Sequence, residues 1–85
     1  MMPTISYFYG ITIFMFPRGK EHNPPHIHAS MQDKDAVFSI QSGEIIAGDL
    51  PPKARLMVKE FVLKYQTELL TMWESGEYEK LEPIP

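Results

Sequence analysis

From Lys53 to Glu74 the chain contains neither glycine nor proline, and Pro51-Pro52 stands immediately before that stretch. Proline suits the first turn of a helix, where its missing N–H is not needed. Ala54, Val58, Phe61, Tyr65, Leu69 and Met72 then recur at three- and four-residue spacing, the mark of one helix with one apolar face. Such a face must be buried against something, and only the preceding residues can supply it.

Those residues alternate with a period of two, as strands do. Ile11, Ile13 and Met15 oppose Thr12, Phe14 and Phe16, and Ala36, Phe38 and Ile40 oppose Val37, Ser39 and Gln41. Ile5, Tyr7 and Tyr9 fall on one side of the first run, with Ser6 and Phe8 on the other; Tyr7, Tyr9 and Tyr65 read as core. Gly10 marks a bulge or a very tight turn, with the bulge preferred. Gln32-Asp33-Lys34 and Ser42-Gly43 mark further turns. The expected fold is α+β: an antiparallel sheet of four to five strands over residues 3–48, with one long C-terminal helix, residues 52–75, packed on one face. Residues 1–76 read as a single domain and residues 77–85, with two prolines, as a C-terminal tail.

A chain of 85 residues without cysteine has no disulfide or thiolate metal site to hold it together. Its hydrophobic fraction of 44% suits a small globular core. The net charge of −3 is unevenly spread: Glu68, Glu74, Glu77, Glu79 and Glu82 face only Lys80 after residue 65. No basic stripe is present, which argues against binding along a nucleic-acid backbone, though nucleic acid as a substrate stays open. The apolar run of residues 5–16 is too short to span a membrane and lacks a basic leader, so a cytoplasmic protein is expected.

All three histidines fall within His22-Asn23-Pro24-Pro25-His26-Ile27-His28-Ala29. The prolines stiffen an extended elbow, and alternation beyond it puts His26 and His28 on one face and Ile27 and Ala29 on the other. Three readings stay open. His22, His26 and His28 can hold a divalent transition metal such as zinc, nickel, copper or iron, with Glu21, Glu44 or Asp49 as an oxygen ligand. Alternatively His26 and His28 act as acid and base without a metal, while Arg18 and Lys20 hold a phosphate or carboxylate. In the third reading the imidazoles only cap backbone carbonyls at a corner.

The helix carries a second stripe, Leu56, Leu63 and Leu70, at about 160–200° from Ala54. One sheet cannot cover both sides of a helix. The stripe is therefore either scattered surface leucine or a seam for a partner, in a homodimer or with the product of a neighbouring gene.

Met2-Pro3-Thr4-Ile5-Ser6, the block from His22 to Ala29, and Leu50-Pro51-Pro52 ahead of a helix with Glu68-Leu69-Leu70 and Trp73 resemble the bacterial domain of unknown function 4160 family. The resemblance runs over nearly the entire chain. It implies His22, His26 and His28 as signature residues without a role, and a two-gene arrangement like that of toxin–antitoxin pairs. This chain has Ile27 where phenylalanine is common, and Tyr65 where many relatives carry a helix histidine. Two functions follow as expectations: an interaction module of such a pair, or a small metal- or histidine-dependent enzyme acting on RNA.

Overall fold

The computed structural model describes residues 4–16 and 24–84. Among the described residues five strands form one antiparallel sheet in chain order: β1 (Thr4–Phe8), β2 (Ile11–Phe14), β3 (His26–Met31), β4 (Lys34–Ser39) and β5 (Ile45–Gly48). Tyr9 and Gly10 connect β1 to β2 with φ of 51° and 79°. Two successive positive φ values make the two-residue hairpin turn whose twist matches that of its strands. Gly10 is thus a turn, and the preferred bulge reading is corrected.

A bulge does occur, but earlier, where the pairing slips between Thr4 and Ser6. One extra residue reverses which side chains face inward beyond it. Ile5 and Phe8 are buried, whereas Tyr7 and Tyr9 are 62% and 58% exposed, so both tyrosines leave the core assigned to them. Strands β2, β3 and β4 keep strict alternation. Ile11, Ile13, Ile27, Ala29, Ala36 and Phe38 all point to the buried face.

The α+β architecture is as expected, but the single long helix is not. Helix α1 (Pro52–Lys64) and helix α2 (Gln66–Ser75) meet at Tyr65, whose φ of −112° and ψ of 27° leave the helical region. Backbone bonding continues through the bend: the Tyr65 amide donates to the Phe61 carbonyl at 3.1 Å, and the Leu69 amide donates to the Tyr65 carbonyl at 2.8 Å. Tertiary bonds hold the bend in place. The Gln66 side-chain amide donates to the carbonyls of Ile40 at 3.0 Å and Gln41 at 2.7 Å, and the Tyr65 hydroxyl donates to the Glu82 carbonyl at 3.0 Å.

Both helices lie on the same face of the sheet. Ala54, Val58, Phe61 and Val62 of α1 and Leu69, Met72 and Trp73 of α2 are buried there. Phe61 sits centrally, its ring 5.2 Å from Phe8 and 5.0 Å from Tyr65. Tyr65 itself is half-buried.

Residues 77–84 have no helix or strand, yet they are tied to the sheet. The Leu81 amide donates to the Ile5 carbonyl at 2.8 Å, and the Ser6 hydroxyl donates to the Leu81 carbonyl at 3.0 Å. The Tyr78 hydroxyl donates to the Phe16 carbonyl at 3.1 Å, and Ile84 is buried in the core. The outer edge of β1 is therefore covered by the chain's own C-terminal segment.

Candidate functional site

His26 and His28 alternate with buried Ile27 and Ala29 and so stand on the opposite side of β3 from them. Pro24 and Pro25 lead into β3 with their carbonyls in use: the Ile40 amide donates to Pro25 at 3.0 Å, and His26 Nδ1 lies 2.7 Å from the Pro24 carbonyl. A carbonyl can only accept, so Nδ1 carries the hydrogen and Nε2 bears the lone pair in the neutral ring. His26 is buried at the start of β3, and Trp73 of α2 packs against it with ring centres 4.9 Å apart. Its geometry is that of a structural corner, and it is equally the carbonyl bond that orients a ligating imidazole.

His28, two residues on, points to the same face, and its ring centre is 5.3 Å from that of His26. Cross-strand pairing sets it between Phe14 of β2 and Val37 of β4. Phe14 stacks on the imidazole at 5.3 Å with 13° between planes, and Phe16 meets it edge-on at 4.4 Å. Phe14 and Phe16 were not singled out by the sequence, although they alternate with buried Ile13 and Met15 and so had to face the other way. What placed them beside a histidine was the β2–β3 register.

These rings border an open groove of about 410 Å³ that continues over Val37 to Ala47 and Gly48 on β5, with Asp35 also in its wall. Among the described residues that line it, Asp35 is the one acidic residue.

The other candidate residues are distributed as follows. His26 and His28 come together, whereas His22, Arg18, Lys20 and Glu21 lie outside the described residues. Among the described residues no group of three or more His, Cys, Asp or Glu side chains is placed to hold a metal ion. Glu44 and Asp49, considered as oxygen ligands, instead pair with Lys59 and Arg55 of α1. Leu56 and Leu63 are 69% and 46% exposed on α1, but Leu70 is half-buried and packs against the core, because the bend at Tyr65 turns α2.

Leu56 and Leu63 border β5. Leu56 shares a surface hollow with Ile45 and Gly48, and Leu63 lies against the Gly43 backbone. Ile46 on the same edge strand is 50% exposed. Among the described residues no chain pairs with the outer edge of β5, in contrast to β1. No helix among the described residues is long and apolar enough to cross a membrane.

Comparison with curated proteins and with solved structures gives no match. A family model, the domain of unknown function DUF4160, matches residues 10–74, which take in the sheet from β2 onward, the diproline elbow with both described histidines, and nearly all of both helices. On that match the chain belongs to the DUF4160 family.

Proposed function

We propose that this protein is an interaction module, one half of a toxin–antitoxin-like pair, which docks through the open edge of β5 and the adjoining outer face of α1. The carrying observation is the asymmetry of the sheet edges. The chain covers β1 with its own residues 77–84 but leaves β5 open among the described residues, beside exposed Ile46, Leu56 and Leu63. An unpaired edge offers a ladder of amides and carbonyls, and apolar side chains beside it add the burial that makes strand addition specific. The occupant is the neighbouring-gene product or a second copy.

Size-exclusion chromatography with light scattering, alone and with the neighbouring-gene product, tests this. A defined complex that is lost in Leu56→Glu/Leu63→Glu, with the variant's thermal unfolding unchanged, is the expected result. A strict monomer that ignores its neighbour overturns it.

A second reading is a small metal- or histidine-dependent enzyme. It draws on two imidazole ring centres 5.3 Å apart, of which His28 lines the open groove. Metal analysis of the purified protein against His26→Ala/His28→Ala decides it. A wild type without metal, and a double variant that is only less stable, leave the histidines as a structural corner.

A further inference from the structure

Strand β1 reads Thr4-Ile5-Ser6-Tyr7-Phe8, an edge strand without a charged side chain. A free edge is a row of amides and carbonyls that pairs with any strand it meets, so edges are kept apart by charge, by shortness or by a cover. The open edge of β5 is bounded by charge: Glu44 and Asp49 stand just beyond its two ends, in ion pairs with Lys59 and Arg55. The β1 edge has no such groups and is covered by residues 77–84 instead. Glu77, Glu79, Lys80 and Glu82 are exposed on that segment, so the cover brings to this edge the charges that the strand lacks.

The cover is lightly attached. Among the described residues it makes one backbone hydrogen bond to β1, from the Leu81 amide to the Ile5 carbonyl at 2.8 Å, and the Ser6 hydroxyl donates to the Leu81 carbonyl. A neighbouring strand would exchange such bonds at every second residue. The remaining holds are separate points: the Tyr78 hydroxyl on the Phe16 carbonyl, the Tyr65 hydroxyl on the Glu82 carbonyl, and the Ile84 side chain in the core. A segment tied at so few places opens at a lower free energy than the sheet beneath it.

We propose that residues 77–84 are an autoinhibitory strap, which keeps β1 from pairing while closed and, when it lifts, lets β1 pair antiparallel with the β1 of a second copy about a two-fold axis. A second copy is the occupant because this strand is neutral and meets itself without like-charge opposition. Tyr7, 62% exposed, supplies the same aromatic side chain from both copies for contact across the pair. The strap does not depend on docking at β5, which lies at the far edge of the sheet.

Lys80 is the only basic residue after Lys64, so trypsin can cut the strap only at the Lys80–Leu81 bond, whose amide is held by β1 while the strap is closed. Limited digestion of the full chain, read by mass spectrometry, should cut there at least about tenfold faster than after Lys59 or Lys64 of α1. Ile84→Asp, which puts a charge where the core holds an apolar side chain, should speed that cut further. In light scattering a chain ending at Lys80 should have about twice the mass of the intact chain. Full-length Ile84→Asp should gain mass in the same way as its concentration rises, which keeps the test decisive if the shortened chain does not fold. Tyr7→Lys should return both to the mass of the intact chain by setting like charges across the pair, whereas Ile46→Lys on β5 should not. Cleavage at Lys80 no faster than in α1, a mass unchanged in both strap variants, or an association lost in Ile46→Lys but kept in Tyr7→Lys overturns the proposal. A complex through β5 that forms or fails with Leu56→Glu/Leu63→Glu bears on the docking surface alone and leaves these outcomes as they are.

Discussion

At the scale of single residues, Gly48 shows how local geometry is imposed from a neighbouring strand. Its φ is +72°, and a Cβ there would collide with the Asp35 carbonyl oxygen and lie 3.0 Å from Ala36 Cα. Both strain and contact oppose a side chain, so Gly48→Ala is expected to cost about 2–3 kcal/mol in urea unfolding. Gly10 gives the contrast: its φ is +79°, but a Cβ there meets nothing within 4 Å. Asparagine tolerates that conformation, and Gly10→Asn is expected to cost less than about 1 kcal/mol by the same measurement. Both glycines are visible in the sequence, where Gly10 reads as a bulge or a tight turn with the bulge preferred, but the atoms that exclude a side chain at Gly48 lie on β4 and leave no local mark. His26 is a similar case. Its position on the strand face follows from alternation, but its bond to Pro24 and its contact with Trp73 depend on the elbow and on α2.

At the scale of elements, the bend at Tyr65 and the docked C-terminal segment depend on each other. The Tyr65 hydroxyl reaches Glu82, and Gln66 reaches the carbonyls after β4, so the two helices are held at an angle by segments on either side. No glycine or proline marks the bend, which is why the residues from Lys53 to Glu74 read as one helix. Truncation after Gly76 is expected to lower stability by about 3 kcal/mol or more. It removes buried Ile84, half-buried Tyr78 and Leu81, and the hydrogen bonds to Ile5, Ser6 and Phe16. It also uncovers the β1 edge, so the truncated protein is expected to self-associate with rising concentration, as read by light scattering. A truncated chain of unchanged melting temperature would show that these contacts contribute nothing.

At the scale of the whole molecule, one helical layer on one sheet gives a single thin core, and Phe61 stands in its middle. Domains of this size have only several kcal/mol of net stability. Phe61→Ala is expected to remove about 3–5 kcal/mol, enough to leave the chain largely unfolded at 37 °C by circular dichroism. The same one-sheet arrangement lets β5 end the sheet unpaired among the described residues.

Much of this architecture was already present in the order of the residues. Period-two alternation marked the strands, the diproline elbow preceded β3, and three-four spacing chose Ala54, Val58, Phe61, Leu69 and Met72 as the buried helix face. These properties arise from residues close together in the chain, whose spacing alone decides which side of a strand or helix they share. The reversal of Tyr7 and Tyr9 required the slip in the β1–β2 register, and the withdrawal of Leu70 required the bend held by Glu82, Ile40 and Gln41. The aromatic groove required Phe14, His28, Val37 and Ala47 to come into line across four strands. Those outcomes belong to the tertiary structure because each depends on pairing between segments far apart in sequence, which local periodicity does not encode.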